Sequence, residues 1–219
     1  MRFEQLLLNK IRLSLFSVKN IKAETMKKTY LIILAAVFTL SGLNAQKKLT
    51  ADPSATVIDW KGDKKIGSFH VGTIDLKSGW LNVEGNSLTG GEFVVDMNSI
   101  KNSDVKDENM RQRLVGHLKS DDFFGVEKFP VSKLVITGSS KFEGGKAVVK
   151  GSLTIKEATH PVEFTVTETK GGEVSTYTAD IVFDRSLYDV RFGSGKFFSN
   201  LGDNAINDEI RLNVKLVVK

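Results

Sequence analysis

In a chain without cysteine, the residues best suited to acid–base or metal chemistry are its three histidines, His70, His117 and His160. Their spacing supports neither use. There is no HxH or HExxH pair, so a metal site would need all three to converge from distant segments. His117 ends a helical pattern, where a cation is favoured by the helix dipole. His70 falls in a strand pattern, and His160 falls in a turn beside Pro161. Nucleophile motifs fail as well. The "GSG" at Gly193–Gly195 lacks the G-x-S-x-G strand–turn–helix setting. "TGGEF" is a strand kink or bulge and not a phosphate loop, because no helix and no GK[ST] follow it. Asp121 and Asp122 are adjacent, and neighbours on an extended chain point apart. The expectation is a protein that is not an enzyme, with no catalytic set, no metal and no cofactor.

Two aromatic segments remain. "HLKSDDFFGVEKFP" runs from two aspartates into Phe123 and Phe124, with Phe129 before a proline. "FDRSLYDVRFGSGKFFSN" interleaves Arg185, Arg191 and Lys196 with Tyr188, Phe192, Phe197 and Phe198. The second could stack bases if the protein were strongly basic, and the formal net charge of +5 invites that reading. The charge belongs to the leader. From Met26, "MKKTYLIILAAVFTLSGLNAQ" has the basic start, short apolar run and small Ala45 of a secretory signal peptide. Met26 then reads as the start, and residues 1–25 as an upstream extension of the frame. Of 31 basic and 26 acidic residues, residues 1–45 hold seven and two, leaving 24 of each sign. A neutral mature chain, residues 46–219, offers no field for nucleic acid or anionic membranes. Without cysteine it has neither disulfides nor a lipoprotein anchor. The expected location is the periplasm or the exterior, with no transmembrane span in the mature chain.

The mature chain alternates apolar and polar residues between turn signals, which predicts strands. They are read over 55–60, 67–76, 79–84, 87–98, 132–139, 146–155, 161–169, 174–184 and 205–218. "KSG", "EGN", "EGGK" and "KGGE" read as the turns. One segment breaks the pattern. Met110, Leu114 and Leu118 recur at i, i+4 and i+8, predicting one amphipathic helix over 105–118, capped by Ser103 or Asp104. Many short strands without a βαβ rhythm imply an all-β antiparallel sheet closed into a barrel or sandwich, with the helix across one end.

The alternation also predicts faces. Phe93, Val95 and Met97 share one, Val162, Phe164 and Val166 another, and Ile181 and Phe183 a third. Trp60, Phe69, Val71 and, from the helix, Leu114 complete the candidate interior. A barrel of about eight strands is either filled by side chains or holds one small ligand.

Four motifs resemble the YceI-like family: "FHVGTIDLKSGWL" (69–81), "LKSDDFFGVEKFP" (118–130), "VVKGSLTIKEATHPVEF" (148–164) and "DRSLYDVRFGSG" (184–195). They occur in the family's order and cover nearly all of residues 55–219. "KEAT" departs from the family, which usually has glycine before the threonine. The resemblance implies a lipocalin-like barrel of about eight antiparallel strands that binds a long-chain isoprenoid or similar amphiphilic lipid. It implies that Phe123 and Phe124 close an apolar channel, with Asp121 and Asp122 on the wet side. His70, His117 or Arg191 would orient a polar head. The competing readings are an enzyme of exported lipid metabolism and a ligand-free structural or stress barrel. Edge strands and the aromatic loop would permit a homodimer.

Overall fold

The alternating segments do form strands. The computed structural model describes residues 46–219; the leader and upstream extension lie outside them. In chain order the strands are β1 (Lys47–Thr50), β2 (Val57–Lys64), β3 (Phe69–Glu84), β4 (Ser87–Asn102), β5 (Val131–Ser139), β6 (Lys146–Ile155), β7 (Ala158–Gly171), β8 (Val174–Asp184) and β9 (Ile206–Val218). All pairings are antiparallel, and the order β3-β2-β9-β8-β7-β6-β5-β4 returns to β3. The result is a closed barrel of eight positions. β1 pairs with the far half of β3, Thr50 opposite Trp80, while β2 pairs with the near half, Asp59 opposite Thr73. These two short strands therefore share one position. Between them the Asp52 carboxylate accepts from the Ser54 N–H and hydroxyl. Closure removes most open sheet edge, leaving residues 158–165 of β7 paired on one side only.

The sequence expectations depart from this at identifiable places. "KSG" is not a turn. The register slips between Leu76 and Ser78, a bulge that keeps β3 continuous over 16 residues. Gly79 is needed there because a Cβ would lie 2.4 Å from the Phe93 ring on β4. β1 is unforeseen, four residues being too few for a periodic signal. The helix α1 spans Glu108–Lys119 and is capped by Asp107, which accepts from the Met110 N–H at 2.8 Å. Asp104 is not its cap because its carboxylate serves β3 instead, through the Val71 N–H and His70. Pro161 lies inside β7 and not at its start.

Topology sorts the connections to two ends. One end carries the tight turns after β3, β5 and β7. The other carries the β2–β3 and β6–β7 turns, the long α1 segment between β4 and β5, and the β8–β9 loop. At this second end the wall is split. β7 pairs with β8 only from Val166 onward, so residues 158–165 have a neighbour on one side. Pro161 is tolerated in that one-sided stretch. A 3-10 turn, Arg185–Tyr188, fills the gap with Tyr188 and Val190 fully buried. The Tyr188 ring meets Phe183 edge-on at 5.7 Å and His160 at 5.1 Å.

Gly72 marks where the closure is tightest. Trp60 of β2 crosses it, donating from Nε1 to the Lys101 carbonyl at 3.1 Å. A Cβ at Gly72 would stand 1.8 Å from that same oxygen and 2.7 Å from the indole. Gly72→Ala is expected to cost about 2–3 kcal/mol through forced backbone movement. Urea titration of variant and parent checks this; an unchanged midpoint would show that the β2–β3–β4 contact is looser than drawn.

Candidate functional site

Inward-facing positions of the strands converge on a cavity of about 250 Å³ inside the barrel. Its walls are the alternate residues of each strand: Ile58 and Trp60 on β2, Ile74 and Leu76 on β3, Phe93, Val95 and Met97 on β4, and Tyr177, Ala179, Ile181 and Phe183 on β8. β9 adds Ile210, Leu212, Val214 and Leu216. α1 contributes Leu114 and Leu118, and the segment after it Phe123 and Phe124, so the helix end of the barrel is covered. Asp121 and Asp122 face away from the cavity. Asp121 pairs with Lys128 at 2.6 Å and Asp122 with His117 at 3.6 Å. The two phenylalanines thus close the cavity from within while the aspartates stay wet.

Twelve of the fifteen sequence-level candidates line this cavity: Trp60, Phe69, His70, Phe93, Val95, Met97, Leu114, Phe123, Phe124, Phe164, Ile181 and Phe183. Phe69 does so only from the rim, half exposed, with the Lys61 ammonium 4.9 Å over its ring. Val71, His117 and Arg191 do not line it. The inward phase of β3 runs through His70, Ile74 and Leu76, which puts Val71 on the outer face. His117 lies outside the cap, edge-on to Phe123 at 5.1 Å and Phe192 at 4.5 Å. Arg191 pairs with Asp189 at 2.5 Å and covers the exposed Phe197 ring at 5.0 Å.

The residue that sequence reasoning missed is Arg185. It is buried, 1% exposed, and lines the cavity beneath the Phe123 ring at 5.8 Å. Its guanidinium donates to four carbonyls: Val190 and Phe192 at 2.9 Å, Asn207 at 3.0 Å and Ile206 at 3.3 Å. Asp208 stands 3.4 Å away. Burial lowers its pKa, opposed by Asp208 and Asp184, and the group stays cationic. Both ends of the β8–β9 loop are held by this one side chain. The signal was present in "DRS", where Asp184 caps the 3-10 turn through the Ser186 N–H at 2.9 Å. That cap sends Arg185 inward.

A second polar cluster sits at the mouth. His70 Nδ1 lies 2.8 Å from Asp104 Oδ2. Asp104 Oδ1 accepts from the Val71 N–H at 2.9 Å and from Asn102 Nδ2 at 2.6 Å. Burial alone raises the Asp104 pKa, but these donors and the His70 ring outweigh it and hold the carboxyl below its usual range. No serine or threonine hydroxyl joins His70 among the described residues, so the pair has no nucleophile beside it. No group of three or more metal-binding side chains forms among those residues, and no described helix is long and apolar enough to cross a membrane.

The model of the YceI-like domain matches residues 49–218, and the chain belongs to that family. A UPF0312 protein of Shewanella denitrificans is 30% identical over 95 residues, 43% of this chain. The match spans about half, 47%, of that relative's length. BcnA of Burkholderia cenocepacia superimposes with a TM-score of 0.58 at 18% identity, covering 77% of this chain and 99% of its own. A polyisoprenoid binding domain from Saccharophagus degradans, implicated in plant cell wall breakdown, gives 0.57 at 12% identity, covering 78% and 97%. At these identities the likeness is one of fold.

Two outcomes follow from the polar clusters. Arg185→Met removes the shared donor of four carbonyls. It is expected to lose at least about 3 kcal/mol and to speed amide exchange across residues 190–207 more than elsewhere; uniform exchange would remove the clasp role. Asp104 and Asp184 both have depressed pKa values in the folded state, Asp184 because Lys196 and Ser186 outweigh its burial. Their stabilisation is present above the unfolded value near 3.9 and is lost as pH falls through the lower folded values. Stability measured from pH 6 to 2 should therefore fall with acid, with a shallower slope in Asp104→Asn.

Proposed function

We propose that this YceI-like protein is an exported carrier that holds one isoprenoid or similar lipid chain in its barrel. The carrying observation is the cavity itself. Its strand walls are apolar at nearly every inward position, and most polar groups lie toward the helix end, with the Tyr177 hydroxyl near the other, paired to Glu168. A barrel that served only as a structural element would gain by filling this space. The polyisoprenoid binding domain of the Saccharophagus protein supports the ligand class. The leader read in residues 26–45 supports export, with transport, storage or stress protection as the use.

The energetics suit a chain molecule. Each buried methylene contributes about 0.8 kcal/mol, so eight supply about 6 kcal/mol before ordering costs. The volume, about 250 Å³, lies just below the range of roughly 300–1,000 Å³ common for small-molecule sites. A long chain therefore fits with its tail inside and its remainder leaving through the mouth. The His70–Asp104 pair lacks a nucleophile, which favours binding over turnover.

Native mass spectrometry of the full chain, exported from a bacterial host and never delipidated, tests this. A discrete added mass, removed by organic extraction and identified as a prenyl or fatty amphiphile, is expected. A bare protein mass with no uptake of added prenyl lipid would refute the carrier. Ala179→Phe projects a ring into the cavity from β8. It should weaken lipid binding at least tenfold while leaving the thermal midpoint equal or higher; unchanged affinity would place the lipid elsewhere.

A further inference from the structure

Resting on the carrier reading, we infer that Tyr177 is the length stop of this barrel. The tip of a bound chain meets the Tyr177 ring, and that ring sets how much of the chain is buried.

The cavity is blind at the end that carries the turns after β3, β5 and β7. On β9 the inward residues Leu212, Val214 and Leu216 line it, while the next one, Val218, is fully buried and does not. On β6 Val149 lines it, and Ala147 beneath is buried off the wall. Leu49 of β1 and Phe142 of the β5–β6 turn belong to the same buried cluster and are off the wall too. Together these side chains plug that end. The rim residues Lys64, Phe69, His70 and Lys133 lie at the helix end instead, where β2 finishes and β3 and β5 begin. A chain therefore has one way in. Its apolar end leads, because a head group carried below that rim would be buried against apolar wall at a cost.

Tyr177 stands where such a chain must end. It is the deepest residue of β8 on the wall, with Ala179, Ile181 and Phe183 above it toward the mouth. The register sets it opposite Leu216 on β9 and Glu168 on β7. The ring is tied at its far end, since the hydroxyl donates to Glu168 Oε1 at 2.8 Å. Phe142 of the plug packs against it at 6.2 Å. Glu168 is itself fixed. Its side chain is only 10% exposed, Oε2 lies 3.4 Å from the Lys170 ammonium, and its N–H donates to the Gly145 carbonyl at 2.7 Å. An aliphatic side chain in this place could change rotamer and let a longer chain pass. The tyrosine cannot swing aside without stranding a nearly buried carboxylate. It is thus a fixed surface, and the phenol proton, given to Glu168, is not offered to the ligand.

A series of straight-chain alcohols, octanol, decanol, dodecanol, tetradecanol and hexadecanol, reads this out by calorimetry on the full chain. Affinity is expected to rise about fourfold per methylene while the tail is still gaining apolar wall. It should level off at the length whose tip reaches Tyr177. Tyr177→Ala should move that levelling-off point to a longer alcohol by at least one step of the series. Leu216→Phe thickens the floor across the register from Tyr177 and should move it to a shorter one. This second variant carries the test if Tyr177→Ala does not fold. The readout is the position of the break and not the strength of binding. A substitution that merely loosened the barrel would weaken every alcohol and leave the break where it was, and that result in Tyr177→Ala overturns the inference. So does a parent series that rises without levelling off. If no alcohol binds the parent, the carrier reading fails and takes the inference with it, whereas binding with an unmoved break fails the length stop alone.

Discussion

A single buried guanidinium holds the helix end of this barrel together. β7 and β8 part company beyond Val166, which leaves a gap that hydrogen bonding within the sheet cannot close. The β8–β9 loop fills it, and Arg185 fixes that loop by binding carbonyls on both of its limbs. Burying a charge beside an apolar cavity is costly unless every donor is used. Here the donors are used on four backbone oxygens. The same side chain supports the Phe123 ring from below. Cap, seam and cavity roof thus share one point of attachment.

A second tie supports that attachment. Lys156 occupies the turn before β7 with φ of +54°, a conformation that glycine adopts without strain. Its side chain is nearly buried, and Nζ donates to the Asp189 carbonyl at 2.8 Å. Asp189 itself is the left-handed C-cap of the 3-10 turn. A glycine would relieve the backbone and release the loop. The positive φ at Lys156 is offset by this tie across the β7–β8 gap, so the residue serves the seam as well as the turn.

Period-two alternation made the strands legible, since one face of each is buried against a common interior. The boundaries of β6 and β8 follow from it directly. What alternation cannot carry is phase across a bulge. In "FHVGTIDLKSGWL" Phe69 and Val71 look like the apolar face, yet His70, Ile74 and Leu76 point inward. Phe69 reaches the cavity only because it stands at the rim. Closure was equally hidden, because pairing of the first long strand with the last in the sheet is a non-local event. Barrel and sandwich share the same pattern until β3 meets β4. The cavity lining was legible on β7 and β8, where no bulge intervenes, and over Phe93–Met97 of β4. Arg185 and the His70–Asp104 pair were not, since each depends on partners between 5 and 34 residues away along the chain.

The cavity also has a cost that argues for use. Unfilled apolar space forgoes packing contacts, and about 250 Å³ of it lies inside this barrel. A larger side chain at Ala179 on the wall would recover some of those contacts without disturbing the ladder, since the ladder's hydrogen bonds use only backbone groups. In the proposed carrier a bound chain would restore those contacts, stabilise the fold by mass action and remain exchangeable, which a larger side chain would not. Stability would then be coupled to occupancy.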